Sequence, residues 1–336
     1  EPWTERIEVI RYAAPSVPLS TLKPWRPGDM LSIARVLRGG MAATGEAVDD
    51  DASAVLALWG LPCGEWARRA TRDRDIGYSV WMLGSDVWTL GRVPVLRGML
   101  ARVMRQSRHA FADGYQLAED AQRISGMPVG FLPSTRQICL ANPPQPRNQP
   151  PYRLLFLGRW HRNKGIDLLL DALALLSTDD WSRIECVEIQ GGGPMEALVR
   201  ERVAALRQSG HPVELGGFLA KPAAEAAIVR ADWVLIPSRI ESIPVVFSDA
   251  MKLGRPVIAM PVGDLPRLIA KHAVGICGRD DTTDAFLDAL RKALRSTTGR
   301  RVQAVADLAK LFSLEGKIVP DILSMLGCIG DEAGTV

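Results

Sequence analysis

Cysteine and histidine are scarce in this sequence of 336 residues, which has five cysteines and four histidines. The cysteines are scattered, odd in number and form no C-x-x-C pair, so we expect reduced, mostly buried thiols in a cytoplasmic protein. The histidines lack the spacing of a metal site. No apolar run reaches about 18 residues and the first residues do not resemble a secretory signal, so we expect neither a membrane-spanning helix nor export.

Several functional patterns are also missing from the sequence. There is no Ser-His-Asp or Cys-His hydrolase set, no G-x-x-x-x-G-K-[ST] loop for ATP, and no basic groove interleaved with aromatic residues for nucleic acid. The net charge of +3 is too small to indicate a nucleic-acid partner. Asp73 and Asp75 have the spacing of a metal-binding D-x-D, but they lie at a charged helix end, so we predict no metal site there.

The length and the apolar periodicity indicate two domains, each an α/β doubly wound parallel sheet. Strands alternate with amphipathic helices along the whole chain. We predict a first domain over residues 1–142, a proline-rich linker over 143–151, a second domain over 152–312 and a C-terminal helix within 313–330. The predicted strands are Ile7–Tyr12, Ala54–Leu58, Tyr78–Leu83, Ala110–Ala112, Val129–Leu132, Leu154–Leu157, Ile184–Ile189, Val213–Leu215, Trp233–Ile236, Val257–Met260 and Val274–Ile276.

The most informative segment runs from Pro237 to Ala259. An apolar strand ends in a short loop with Glu241, Pro244 opens a helix that contains Asp249, and Gly254 ends that helix before the next strand. Unpaired N–H groups and the dipole of a helix N-terminus attract anions such as phosphate. Carboxylates beside phosphates serve mainly to accept hydroxyl protons. A diphosphate flanked by polyhydroxylated groups, as in a nucleotide-sugar, therefore fits this loop.

A second loop supports the same interpretation. The strand around Leu154 is followed by Gly158-Arg159, four further residues, and Lys164-Gly165 before an amphipathic helix. A guanidinium and an ammonium beside helix N-termini form a strong clamp for a diphosphate. The alternative is that both cations are solvated loop residues.

Together the two loops resemble retaining GT-B glycosyltransferases of the family 4 kind, also called glycosyl transferases group 1. Those proteins read P-S-x-x-E-x-x-P-x-x-x-x-E-A-M-x-x-G-x-P-V and G-R-x4-K-G, and here Asp249 stands at the position of the second Glu. The resemblance implies a GT-B fold, with two Rossmann-like domains facing across a cleft. It also implies transfer of a sugar from a nucleoside diphosphate sugar to an acceptor hydroxyl, without a metal or another cofactor.

The resemblance implies a role for each motif residue. Arg159 and Lys164 neutralise the leaving diphosphate, Glu241 accepts hydroxyls of the donor sugar, and Asp249 accepts those of the ribose. Backbone groups contact the rest of a UDP-sugar or GDP-sugar, and a loop of the first domain, in which Leu83 replaces a usual His, faces the acceptor. These further residues are Ser242, Ile243, Pro244, Val245, Gly191, Gly192, Gly217, Phe218 and Leu219 on the donor side, and Ser85 and Asp86 on the acceptor side.

Partners and alternatives follow from the same resemblance. The acceptor is expected to be a sugar or a lipid-linked saccharide, in polysaccharide or glycolipid assembly. A basic amphipathic helix could bind the anionic inner face of a membrane, or it could be a packed helix with a solvated face; its arginines are Arg92, Arg97, Arg102, Arg105 and Arg108. Two other functions stay open, a non-catalytic nucleotide-sugar binding module and a GT-B nucleotide-sugar epimerase.

The start and the end of the sequence complete these expectations. Relatives of this kind open with one more βαβ unit than is found here, and residue 1 is not Met, so we expect the first domain to be incomplete at its start. The last helical segment, Leu314–Met325, is the candidate for a helix that crosses back to the first domain.

Overall fold

The structure is a computed structural model that describes residues 7–16, 19, 22–23, 25–49, 51–140 and 143–325. It divides into two compact units. The first contains most of the chain up to residue 132 and the chain from residue 322. The second consists of residues 114–116 and 133–321. The division thus places residues 133–151 with the second unit.

The first unit is a parallel sheet of four strands in the order β1-β2-β3-β4. The strands are β1 Val55–Leu58, β2 Tyr78–Met82, β3 His109–Ala112 and β4 Gly130–Phe131. The helices are α1 Pro27–Ala47, α2 Glu65–Ala70, α3 Ser85–Trp88, α4 Pro94–Gln106 and α5 Tyr115–Ser125, with a π-helical turn at Gly60–Gly64 and a 3₁₀ turn at Leu90–Arg92. Each crossover carries at least one helix, as parallel strands require.

The core of the first unit lies between this sheet and its helices. Tyr78, Val80 and Met82 alternate along β2 toward one face, where Leu100 and Leu117 pack against them. The period of two on the strand and the apolar stripes on α4 and α5 explain why these segments pair. This packing leaves the loops that follow each strand at the carboxyl edge of the sheet.

The second unit is a larger parallel sheet, in the order β10-β9-β8-β5-β6-β7. Its strands are β5 Tyr152–Arg159, β6 Ile184–Gly192, β7 Val213–Leu215, β8 Trp233–Ile236, β9 Val257–Ala259 and β10 Gly275–Cys277. Its helices are α6 Ile166–Ala174, α7 Thr178–Ser182, α8 Glu196–Gln208, α9 Lys221–Arg230, α10 Val245–Lys252, α11 Leu265–His272, α12 Thr283–Leu294 and α13 Val302–Ala309. The chain then passes a π-helical turn, Leu314–Ile318, into α14 Val319–Met325.

The strand order of the second unit determines where a ligand can bind. The chain goes outward from β5 to β6 and β7, then returns to the other side of β5 with β8. Loops after β5 and β8 therefore leave the sheet in opposite directions and open a crevice between them, which is the ligand site of doubly wound folds. Trp233, Phe156 and Leu169 belong to the buried core beneath this crevice.

The proline-rich segment is held against the second unit by buried polar groups. Arg255 is 1% exposed, and its guanidinium donates hydrogen bonds to the carbonyls of Val229 and Pro144, the latter at 2.7 Å. Asp232 accepts from the backbone N–H groups of Arg147 and Arg153 at 2.7 and 2.8 Å. Burial lowers the pKa of Arg255 to about 10. The predicted linker, residues 143–151, is thus hydrogen-bonded to the second unit, and we call it the proline-rich strap.

Most predicted strands lie within two residues of an observed strand, but one prediction is wrong. Residues 7–12 form no strand. They have an apolar pattern that resembles a strand, but the described part of the chain offers them no neighbouring strand with which to pair, and pairing decides whether such a segment becomes a strand. Tyr12 instead packs edge-on against Trp66 on α2, with 6.0 Å between ring centroids.

Candidate functional site

The crevice between β5 and β8 brings two of the predicted site residues into contact. The ammonium of Lys164 pairs with Oε1 of Glu241, and Ser238 donates a hydrogen bond to the same oxygen at 3.4 Å. Lys164 follows β5 and Glu241 follows β8. The strand order therefore explains why residues 77 positions apart in the chain meet. The pair places a cation and a carboxylate at the ligand edge of the sheet.

Two features pack the loops after β5 and β8 tightly together. Gly165 has a φ of 67°, and a Cβ there would lie 1.8 Å from the carbonyl oxygen of Pro237, so only glycine fits. Arg239 donates from its backbone N–H to the carbonyl of Asn163 at 2.8 Å, and from its guanidinium to Asp167 at 2.7 Å. Arg239 is not among the predicted site residues, because no local sequence pattern indicates that it pairs with Asp167, 72 positions away.

The predicted glycines form the side of the crevice next to β6. Gly158 and Arg159 on β5 lie opposite Gly191 and Gly192 on β6. The N–H of Gly191 donates to the carbonyl of Gly217 at 3.0 Å. A Cβ on Gly191 would lie 1.9 Å from the carbonyl oxygen of Gly158, so this edge needs a bare backbone. Among the residues that the structure describes, the guanidinium of Arg159 has no hydrogen-bond or ion-pair partner and remains available to a ligand.

An aromatic side chain stands at the end of this edge. Phe218 is 77% exposed. A Cβ built on Gly192 would lie 2.6 Å from its ring, so the ring lies close over the glycine backbone. Exposed aromatic rings beside a bare backbone are suited to stack on a planar group such as a nucleobase. Leu219 follows Phe218 and is half-buried.

The first turn of α10 presents unpaired backbone donors. Pro244 is the N-cap and has no N–H. Within the described structure the N–H groups of Ser242, Ile243 and Val245 have no acceptor. The hydroxyl of Ser242 is buried and also lacks a partner. These groups can receive the oxygens of an anion, with support from the helix dipole.

Asp249 lies in a different environment from Glu241. It is 0% exposed, and its Oδ2 accepts from the guanidinium of Arg136 at 2.5 and 2.7 Å. Lys252 approaches Oδ1 at 3.7 Å, and that oxygen has no hydrogen-bond partner among the described residues. Burial raises the pKa of Asp249, although Arg136 and Lys252 act in the opposite direction. Arg136 thus already binds one oxygen of the carboxylate that was predicted to contact a ribose, and the contact with ribose stays a prediction.

In the first unit, Ser85 and Asp86 differ sharply in exposure. Ser85 is exposed, whereas Asp86 is fully buried. The Asp86 carboxylate accepts from the backbone N–H groups of Gly60, Gly84 and Val87 at 2.7, 3.1 and 3.1 Å. Burial raises the pKa of Asp86, and these donors partly offset that effect. Its observed contacts join two loops, and a direct contact with an acceptor stays a prediction.

No metal-binding cluster is found in the described ranges: no three His, Cys, Asp or Glu side chains are grouped so that they could hold an ion. The groups around the crevice of the second unit have the chemistry that an anion requires, and we call them the anion cradle. Arg159, Lys164 and the first turn of α10 supply positive charge and N–H donors, and Glu241 supplies an acceptor for hydroxyls.

Comparison with known proteins agrees with this geometry. Residues 151–296 match the family Glycosyl transferases group 1. A D-inositol 3-phosphate glycosyltransferase of Jonesia denitrificans is 31% identical over 162 residues, which cover 43% of this chain and 35% of that protein. The chain therefore matches only about a third of the length of this relative.

Solved structures resemble most of the chain. Anabaena Alr3699/HepE in complex with UDP has a TM-score of 0.70 at 16% identity, over 89% of this chain and 84% of that one. Sucrose-phosphate synthase from Thermosynechococcus elongatus has a TM-score of 0.66 at 17% identity, over 94% of this chain and 83% of that one.

The fold therefore defines the class of this protein, and the predicted class is confirmed: it is a GT-B protein built from two Rossmann-like units. The match to the glycosyl transferases group 1 family, over residues 151–296, lies within its second unit.

The close approach at Gly165 leads to a test with a matched control. Gly165 and Gly210 both have positive φ, but a Cβ on Gly210 meets nothing within 4 Å. Gly210→Ala should cost about 1–2 kcal/mol from backbone strain alone. Gly165→Ala should cost about 1–3 kcal/mol more, because the loop must also move away from Pro237. Denaturant unfolding measures both, and equal costs would show that the loops are not in contact.

Proposed function

We propose that this chain is a retaining glycosyltransferase that moves a sugar from a UDP-sugar or GDP-sugar to an acceptor hydroxyl in glycoconjugate assembly. The observation that carries the proposal is the contact of Lys164 with Glu241 at the crevice between β5 and β8. A diphosphate needs a cation there, and the donor sugar beside it needs an acceptor for its hydroxyls. Alr3699/HepE, which shares the fold, is described in complex with UDP and with UDP-glucose.

The proposed mechanism stabilises the leaving group. Negative charge grows on the diphosphate as the bond to the sugar breaks, so cations fixed at that position favour the transition state more than the ground state. Arg159 has no partner within the described structure, and Lys164 is held only by Glu241. Both can therefore turn to the diphosphate. The N–H groups of Ser242, Ile243 and Val245 complete the cradle, and we assign no protein nucleophile.

Binding of the donor would break the ion pair between Lys164 and Glu241. When Lys164 moves to the phosphates, Glu241 is released from this cation and its carboxylate becomes available to the sugar hydroxyls. At Asp249 the ribose would have to use Oδ1, which has no hydrogen-bond partner, or displace Arg136 from Oδ2. Asp249 is one methylene shorter than Glu, so its carboxylate reaches less far toward the crevice. Arg136 binds that carboxylate.

The clamp is tested by removing each cation. Arg159→Ala or Lys164→Ala should weaken the binding of UDP or GDP by about 2–4 kcal/mol, because a phosphate in the crevice loses its counter-charge. Arg162→Ala is the control, since Arg162 is an exposed cation of the same loop and should change affinity little. Isothermal titration calorimetry decides the matter. Unchanged affinity in both clamp variants, or an equal loss in the control, would disprove the clamp.

We further propose that transfer needs no metal ion, because Arg159 and Lys164 take the place of a divalent cation. Transfer from the donor should then be unchanged in excess EDTA. Loss of activity in EDTA that magnesium or manganese restores would contradict this prediction. In the same assay, turnover of labelled donor only with acceptor separates a transferase from a binding module, and interconversion of the donor sugar without acceptor would indicate an epimerase.

We propose, finally, that α4 binds an anionic membrane surface on the cytoplasmic side. Arg97, Arg102 and Arg105 lie on α4, whereas Arg92 and Arg108, which were predicted on the same helix, flank it; all five are exposed, and Val95 on α4 is 73% exposed. The α4 sequence contains no acid. A groove of about 500 Å³ lies next to Arg92 and Arg97 and could receive a head group. No helix in the described ranges is long and apolar enough to cross a membrane.

Vesicle binding tests this surface. The protein should sediment with vesicles that contain phosphatidylglycerol. Arg97→Gln and Arg102→Gln should each weaken the free energy of binding to these vesicles by about 1 kcal/mol, and the double variant by about twice as much. Arg200→Gln and Arg202→Gln on α8 remove two exposed charges elsewhere and should have little effect. Equal binding of wild type to neutral and anionic vesicles would show that α4 is only a solvated basic face.

A further inference from the structure

The loop after β1 holds Trp59 in a backbone conformation that tryptophan rarely adopts. Its φ is 70° and its ψ is 130°. Positive φ is common for glycine, but for a bulky residue it is an outlier, and such outliers cluster at ligand-binding sites. Ala273 is the other non-glycine residue with positive φ among those described, and it stands at an ordinary left-handed helix C-cap. A tryptophan thus stands where a glycine would be less strained.

Surrounding hydrogen bonds impose this conformation. The N–H of Trp59 donates to the carbonyl of Trp81 at 2.9 Å, and its carbonyl accepts from Gly64 at 3.0 Å. The next residue, Gly60, donates to the buried Asp86 at 2.7 Å. Since the Asp86 carboxylate also binds the N–H of Gly84, the loops after β1 and β2 are held side by side. The carboxylate therefore positions Trp59.

The indole of Trp59 makes few contacts with the rest of the fold, although its backbone is firmly held. Trp59 is 43% exposed. Within the part of the chain that the structure describes, its ring has no aromatic or cation–π contact and its Nε1 has no acceptor. Two other tryptophans of this unit are satisfied internally: Nε1 of Trp81 donates to the carbonyl of Leu132, and Nε1 of Trp88 donates to Asp120. An exposed apolar face and an unused donor remain at Trp59.

The position of Trp59 indicates a ligand. It directly follows β1, and the exposed Ser85 follows β2, so both stand at the carboxyl edge of the first sheet. Ligands of parallel sheets bind at this edge. The flat indole face matches the C–H face of a pyranose ring, and its N–H can donate to a ring hydroxyl.

We propose that Trp59 is a stacking platform for a pyranose ring of the acceptor and that Asp86 is its positioning residue. The proposal rests on the proposed glycosyl transfer and specifies its acceptor as a saccharide. Removing the indole should weaken saccharide binding about tenfold and leave nucleotide binding in the second unit unchanged. That difference separates a failure of this proposal from a failure of the diphosphate clamp.

Fluorine NMR on protein labelled with 5-fluorotryptophan tests the contact directly. The sequence has nine tryptophans, and Trp59→Phe identifies the Trp59 signal. Titration with methyl α-D-glucopyranoside and methyl α-D-mannopyranoside should shift that signal saturably, whereas glycerol, which has hydroxyls but no ring face, should not. Trp25, which is 75% exposed, is the internal control and should not move. A Trp59 signal that stays in place with both glycosides, or moves no more than that of Trp25, overturns the proposal.

Stability and positioning provide two further readouts. Glycine is usually less stabilising than alanine, but at Trp59 the order should reverse, so Trp59→Gly should melt a few degrees above Trp59→Ala. If Trp59→Ala melted at a higher temperature than Trp59→Gly, the backbone at this position would not be strained. Asp86→Asn should shift the Trp59 signal without ligand and weaken glycoside binding, while calorimetry with UDP or GDP stays at the wild-type value. An Asp86→Asn protein that folds and binds glycosides as wild type does would refute the positioning role.

Discussion

The close packing of Gly165 against the carbonyl of Pro237 is the constraint on which the rest of the site depends. Strand order places β5 and β8 side by side, but the loops after them meet only because one contact residue has no side chain. Arg239 then ties the two loops through Asn163 and Asp167. Since Lys164 precedes Gly165 directly, this packing sets the distance between its ammonium and Glu241.

Buried polar groups have the same role elsewhere in the molecule. Asp86 joins two loops of the first unit through backbone N–H groups, and Arg255 and Asp232 hold the proline-rich strap on the second unit. Loops and straps cannot satisfy their backbone groups through a sheet ladder, so a buried donor or acceptor must do it. These side chains stabilise the connections between regular elements, while apolar packing stabilises the elements themselves.

The local backbone of the two loops after β5 and β8 could be predicted from the sequence, whereas the contacts around them could not. The spacing around Gly158 and Glu241 placed the cations, the acid and the helix start where the structure has them, because glycine and proline act on the backbone locally. The roles of these residues toward a donor stay predictions. Ile7–Tyr12 was wrong because a strand needs a partner. Arg136 and Arg239 were missed because each acts through a residue distant in the chain.

The amino-acid sequence by itself determined the alternation of strands and helices, the two-unit organisation and the local backbone of the loops that contain Arg159, Lys164 and Glu241. Apolar periodicity, caps and turn residues act over a few positions, so they can be read from the chain. Only the tertiary structure decided that Lys164 pairs with Glu241, that Arg136 binds Asp249 across 113 positions, and that the buried Asp86 binds the N–H of Gly60, next to the exposed Trp59. Those contacts depend on strand order and loop packing, which are properties of the assembled chain and not of any segment.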